Sequence, residues 1–240
     1  MRLVYIYHSG FAVEAEGFSM IIDYYKDTSP EYGKGLVYDY FLKSAKPLYV
    51  LSSHVHPDHF NPEVLEWRNQ KPDIRYIFSK DILGRRGVAA ADACFLAKGE
   101  AFSDECLSVR AFGSTDIGIS FLIEAEGRKI FHAGDLNNWH WKDESTPEEV
   151  RESEVAFLSE LDDISRFVDA VDVAMFPVDP NMGTDYMLGA QQFVGCIQTR
   201  LFVPMHFGEN YEKGMAFKAY AEQSGARFFA FRQRGAAIEI

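Results

Sequence analysis

LSSHVHPDHF, residues 51–60, places three histidines and an aspartate within six positions, 54 to 59. The whole chain of 240 residues has seven histidines, so nearly half of them fall in this one segment. It directly follows KPLYVL (46–51), an apolar run that predicts a short buried strand. Asn61-Pro62 after it is a helix-start signal, with Asn as the cap and Pro in the first turn. A loop clamped between a buried strand and a helix is a rigid mount for polar groups. His54 and His56, two residues apart, can close on one cation as a pincer. Asp58 and His59, adjacent, can turn toward a second.

The other histidines extend this pattern. His132 follows RKIF, His206 follows LFVPM and His8 follows LVYIY. Four of the seven thus stand directly after a β-rich apolar run. Functional groups gather at one end of the strands in sheets flanked by helices. A third imidazole would complete a three-ligand set with a fourth position open to water, and His132 is the candidate. His206 would complete the second set, with Asp58 and His59. Asp135, in HAGD (132–135), has two oxygens and can bridge both ions, the small Ala133-Gly134 pair letting it approach. His8 reads as a structural residue or one that stands behind the ligands. Asp23, after SMII, reads as a turn residue. Asp172 and Asp179 flank one strand and read as loop residues or partners of ligands.

Bulk properties narrow the function classes. The formal net charge is −12, and no run of Lys or Arg exceeds a pair. The basic footprint of a nucleic-acid-binding protein is missing. No apolar stretch approaches the roughly 20 residues of a membrane span, and the N-terminus is too polar for a signal peptide. Cys94, Cys106 and Cys196 are odd in number and widely spaced, which predicts buried reduced thiols in a cytoplasmic protein. A small-molecule substrate is expected, without nucleic acid or membrane, and a homo-oligomer is compatible with the sequence.

Hydrophobic patterning predicts an α/β chain forming one domain over 1–240. Strands are expected near 1–25, 46–53, 74–80, 107–114, 118–135, 171–178 and 200–207, and over the last 15 residues. Helices are expected over 62–70, 187–198 and 213–225, the last ended by Gly225. TPEE (146–149) is a capping box opening another, with Val150, Phe157, Leu158, Leu161 and Ile164 at helical spacing. EAEG occurs twice, at 14–17 and 124–127, inside similar apolar hairpins. Phe11 matches Phe121, Val13 matches Ile123 and Met20 matches Ile130, which suggests a domain of two related halves.

HVHPDH (54–59), HAGD (132–135) and PMH (204–206) together resemble the metallo-β-lactamase superfamily. The opening HSGFAVEAEGFSMIID and the segment VDVAMFPVDPNMGTDYML look most like its branch containing ascorbate-6-phosphate lactonase. The resemblance spans residues 8 to about 210. It implies a four-layer αβ/βα sandwich with two pseudo-symmetric halves and the site at one edge. By motif match, His54, His56 and His132 hold one metal, Asp58, His59 and His206 the other, and Asp135 bridges. Three departures stand out: PVDP (177–180) in place of a PIG-type run, Thr115-Asp116 where many relatives place a histidine, and bulky Trp139 and Trp141 after HAGD. All three are expected to shape the substrate pocket, for which Trp139, His140, Asp179 and Tyr186 are the candidate contacts.

The expected activity is metal-dependent hydrolysis of a small ester, lactone or phosphoester. A water bridging two divalent ions loses its proton near neutral pH and attacks the electrophile, with Asp58 accepting or relaying that proton as the catalytic residue. Zinc suits a histidine-rich set, and a bridging carboxylate also admits manganese or iron. The rival readings are a nucleic-acid phosphodiesterase of the same fold, a redox di-iron protein, and a metal-binding protein without turnover. The acidic charge stands against the first. His56, where di-iron relatives carry Glu, stands against the second.

Overall fold

A computed structural model describes residues 1–240. The first half supplies β1 (Arg2–Tyr7), β2 (Gly10–Glu14), β3 (Ser19–Ile22), β4 (Leu48–Ser52), β5 (Ile74–Ser79) and β6 (Cys94–Leu96). The second supplies β7 (Ala101–Ser103), β8 (Ser108–Phe112), β9 (Ser120–Ala125), β10 (Arg128–His132), β11 (Ala170–Pro177), β12 (Gln198–Met205) and β13 (Arg227–Phe228). A last strand, β14 (Ala237–Glu239), returns to the first sheet.

The two seven-stranded sheets have the orders β14-β1-β2-β3-β4-β5-β6 and β13-β12-β11-β10-β9-β8-β7. Each is an antiparallel meander that continues as parallel strands. In the first, β1-β2-β3 leads into parallel β3-β4-β5-β6. In the second, β8-β9-β10 leads into parallel β10-β11-β12-β13. The two EAEG runs occupy equivalent hairpin turns, β2–β3 and β9–β10. The turns also touch, since Glu16 N–H donates to Glu126 Oε1 at 2.7 Å.

Strand alternation divides the first sheet between two apolar layers. Leu3, Tyr5, Phe11, Val13, Met20, Ile22, Tyr49 and Leu51 face the second sheet in one continuous core. Their neighbours Val4, Ile6, Ala12, Ile21, Leu48 and Val50 point outward under Phe41, Phe60 and Trp67. Phe41 comes from a single π-helical turn, Val37–Phe41, Trp67 from a 3₁₀ helix, Pro62–Asn69, and Phe60 from the loop just before that helix. The helix-start signal at Asn61 is correct, because its side chain accepts from Glu63 N–H, but the segment winds as 3₁₀ rather than α.

On the second sheet the cover is helical. α1 (Pro147–Ser165) opens with the expected capping box, Thr146 N–H donating to Glu149 Oε2 at 2.7 Å and Glu149 N–H to Thr146 Oγ1 at 3.3 Å. It buries Phe157, Leu161 and Ile164, while Leu158 stays exposed one step off that face. α2 (Leu188–Cys196) sets Phe193 over the sheet, 5.0 Å from the Phe131 ring and 4.8 Å from that of Phe176. The single helix expected over 213–225 is two, α3 (Tyr211–Met215) and α4 (Lys218–Gln223). The break lets Phe217 turn fully into the core against Phe202, 4.5 Å between rings.

The result is two mixed sheets face to face with helices outside, the αβ/βα sandwich. Two smaller expectations change. The cysteines are free thiols but not buried: Cys94 and Cys196 are exposed and Cys106 is half-buried. The last 15 residues carry only β13 at their start and β14 near the end. No helix is long and apolar enough to cross a membrane.

Candidate metal centre

Five strands from both sheets end at one rim. β1 runs into His8, β3 into Asp23, β4 into Ser53-His54, β10 into Ala133–Asp135 and β12 into His206. Three of these residues leave their strands in left-handed backbone, with φ of 57° at His8, 48° at Asp23 and 64° at His206. Such conformations cost energy and persist where the surroundings fix them. Here each turns a polar side chain into the rim.

Two donor sets result. His54, His56, Asp116 and Asp135 form one, and His8, Asp58, His59 and His206 the other, with the ligand atoms of each set within 4.8 Å of one another. In the first, His54 Nε2 lies 3.1 Å from His56 Nδ1, and His56 Nδ1 lies 3.2 Å from Asp116 Oδ2. In the second, His59 Nε2 and His206 Nε2 each stand 4.0 Å from Asp58 Oδ2. Asp135 divides its carboxylate between them. Its Oδ2 is 3.4 Å from His54 Nε2, and its Oδ1 is 3.0 Å from His59 Nε2 and 3.4 Å from His206 Nε2.

The donors fit divalent cations. His59 Nε2 and Asp135 Oδ1 are fully buried and without a hydrogen-bond partner, a costly state that a cation between them relieves. Burial would raise the Asp135 carboxyl, but His59 and His206 beside it hold it well below the usual carboxylate range. Burial would likewise lower His59, but Asp135 and Asp23 raise it well above the ordinary imidazole value. Surroundings that draw a proton so strongly draw a metal ion for the same reason.

Hydrogen bonds behind the rings decide which nitrogens are free. Ser53 Oγ donates its one proton to Asp23 Oδ2 at 2.6 Å, so it accepts from His54 Nδ1 at 3.0 Å. His59 Nδ1 donates to Asp23 Oδ2 at 2.7 Å, and His206 Nδ1 donates to Asp179 Oδ2 at 3.1 Å. In all three rings Nδ1 is committed behind the ring and Nε2 is the nitrogen turned to the site, the usual arrangement for a metal ligand.

His132 departs from the expectation. It is fully buried, its Nδ1 accepts from Gly134 N–H at 3.1 Å, and its Nε2 donates to Ser9 O at 2.9 Å. Both nitrogens are used, and the ring belongs to neither set. It packs behind the site against Phe11, 6.2 Å between centroids, and burial lowers its pKa. Asp116 stands with the first set instead. The Thr115-Asp116 departure, expected to shape the substrate pocket, thus also supplies a candidate metal donor.

Asp23 was the residue least legible beforehand. It is no mere turn residue, for it is fully buried and accepts from Ser53 N–H (2.7 Å), Ser53 Oγ and His59 Nδ1. Its position directly after a buried strand, like that of His54, was the available signal. Asp172, by contrast, sits far from the rim and ties Lys129 N–H and Arg128 to the start of β11.

A cleft of about 410 Å³ opens over the donors, walled by Trp139, Trp141, Thr115 and Asn181, with Asp116, Asp135, Asp179 and His206 at its base. The two indoles stack at 6.1 Å and 13°, and Trp139 Nε1–H donates to Asp135 O at 2.8 Å. Of the four candidate substrate contacts, Trp139 and Asp179 line this cleft. His140 and Tyr186 do not. His140 is buried, with its nitrogens on Asp185 O and Lys142 N–H, and the Tyr186 hydroxyl donates to Lys213 O.

Fold and site together define a metal-dependent hydrolase active site on a metallo-β-lactamase scaffold. The profile of the β-lactamase superfamily domain matches residues 2–158, and the chain belongs to that family. Among solved structures it is similar to Igni18, a metallo hydrolase from Ignicoccus hospitalis KIN4/I, at 19% identity and TM-score 0.68, covering 100% of this chain and 98% of that one. It is similar to the metallo-β-lactamase fold protein YhfI from Bacillus subtilis, at 10% identity and TM-score 0.64, covering 100% and 98%. It also matches CmlA, a diiron β-hydroxylase from Streptomyces venezuelae, at 13% identity and TM-score 0.70, covering all of this chain but 54% of CmlA. At these identities the likeness is one of fold. No curated protein matches the chain.

Proposed function

We propose that the protein is a binuclear metal-dependent hydrolase of small, uncharged esters or lactones. The observation that carries this reading is the Asp135 carboxylate, with one oxygen turned to His54 and the other to His59 and His206. One set, His54, His56 and Asp116, would hold one ion, and Asp58, His59 and His206 the other. Ions so held supply a water-derived nucleophile near neutral pH and draw developing negative charge.

The chain's own residues do the rest. Asp58, whose side chain is 36% exposed, would take up the proton released from water. The stacked indoles of Trp139 and Trp141 offer a flat apolar wall that would orient an acyl or ring group over the donors. No Lys or Arg lines the cleft, so a phosphate or sulfate on the substrate would meet no side-chain cation. That favours neutral esters and lactones over substrates with a phosphate away from the scissile bond, such as the phosphorylated lactones of the ascorbate-6-phosphate branch.

The test is turnover of metal-loaded protein on neutral aryl esters, small lactones and aryl phosphodiesters, with and without chelator. Chelator-sensitive hydrolysis of the first two is expected. With both ions bound, hydrolysis confined to the phosphodiester would overturn the substrate class, and no hydrolysis at all would leave a binding protein.

A further inference from the structure

The two donor sets differ in what stands behind them. In the second, both imidazole ligands are hydrogen-bonded from behind, and Asp58 has His8 beside it. His59 rests on Asp23, which is itself held by two hydrogen bonds from Ser53. His206 rests on Asp179, whose other oxygen accepts from Asn181 N–H at 2.9 Å. Asp58 Oδ2 faces His8 Nε2 at 3.3 Å.

His8 has the position of a fourth ligand, and its buried Nε2 has no hydrogen-bond partner of good geometry, but its tautomer is the wrong one for a ligand. Gly208 N–H donates to its Nδ1 at 3.2 Å, so the neutral ring carries its proton on Nε2, the atom turned to Asp58. A protonated nitrogen cannot bind a metal, but it can donate to a carboxylate that does. The left-handed backbone of His8 (φ 57°) and its ring contact with His206, 4.2 Å between centroids, hold that orientation.

In the first set only His54 is braced, by Ser53. His56 and Asp116 stand at the mouth, with side chains 45% and 37% exposed and their only side-chain contacts inside the set itself. Partners behind a ligand are worth about 10- to 100-fold in metal affinity.

We propose that the two ions are held unequally: the ion at Asp58, His59 and His206 is resident, with His8 as hydrogen-bond donor to Asp58 rather than ligand, and the ion at His54, His56 and Asp116 is exchangeable. The proposal rests on the metal centre and not on hydrolysis. Its readouts are metal content and cobalt absorption, so absence of turnover leaves it intact, whereas failure of the full chain to bind any metal sinks both readings.

Cobalt(II) titration of the metal-free chain should show two steps at least tenfold apart in affinity. Dialysis of the loaded protein against a weak chelator should leave one equivalent per chain. Asp116→Ala should abolish the weaker step alone, and His59→Ala the stronger. His8→Gln should keep the stronger step, weakened about 10- to 100-fold. Two equivalents leaving together from the native chain, or loss of the strongly held ion in Asp116→Ala, overturns the proposal. Outright loss of an equivalent in His8→Gln makes His8 a ligand and overturns its assigned role. Should His59→Ala fail to fold, the native titration and Asp116→Ala still decide the matter.

Discussion

At the scale of single residues, chemistry here is set by what each side chain touches on the side away from the site. His54, His59 and His132 are all fully buried, yet two turn Nε2 to the rim and the third does not. The difference is one backbone N–H, from Gly134, that takes up His132 Nδ1. Asp23→Asn keeps the shape of a side chain that accepts from His59 but removes its charge. It should weaken the ion held at His59 about 10- to 100-fold, as read by calorimetric titration of the metal-free protein, and unchanged affinity would count against the bracing role. Trp139→Ala should leave both equivalents of metal in place by elemental analysis. It should raise KM for an aryl ester roughly tenfold, the loss of about 1.4 kcal/mol of stacking and burial. Loss of metal instead would mean that the indole holds Asp135 through its backbone bond and does not serve the substrate.

At the scale of elements, the local signals were strong where they were self-contained. The capping box at Thr146 works as its residues dictate, and Thr146→Ala should cost about 1 kcal/mol of unfolding free energy in urea denaturation, with no change in metal content. The loop 113–118 that delivers Asp116 had no such signal. It is held by close approach: Gly118, at φ +84°, leaves space so small that an added Cβ would meet Ser53 O at 2.2 Å and His54 Cβ at 2.4 Å. Ile119 N–H also donates to Ser53 O at 3.0 Å. Gly118→Ala should therefore destabilise the fold by more than about 1 kcal/mol and also lower occupancy of the His54–His56–Asp116 set, a pairing that a stability measurement with elemental analysis separates from Thr146→Ala.

At the scale of the whole molecule, the centre ties the two sheets together. His54, His56, Asp58 and His59 come from the first sheet, Asp116, Asp135 and His206 from the second. Ions that bind only the folded arrangement stabilise it by mass action, by about 2.7 kcal/mol at a hundredfold excess over Kd. For a chain of this size, chelation should lower the melting temperature by on the order of 5–10 °C, reversed on adding metal back. A melting temperature indifferent to chelator would mean that the sets do not bind across the sheets.

The sequence alone determined the strand-and-helix order of most of the chain, the matched EAEG hairpins, and the concentration of ligand-competent groups after buried strands. Each of those depends on periodicity or on neighbours a few residues apart, which the linear order preserves. It also pointed to HVHPDH and to Asp135 and His206, because residue type and strand-end position suffice to make a candidate ligand. Tertiary structure alone decided that Asp116 rather than His132 joins His54 and His56, that Asp23 braces His59, and that His140 and Tyr186 face away from the cleft. In every one of those cases the deciding partner lies 20 or more residues away in the chain or is a backbone N–H or carbonyl. Hydrogen bonds of that kind leave no trace in residue order. LSSHVHPDHF thus marks a candidate metal centre, but Gly134, Gly208 and Ser9 fix through their backbones how His132 and His8 are turned beside it.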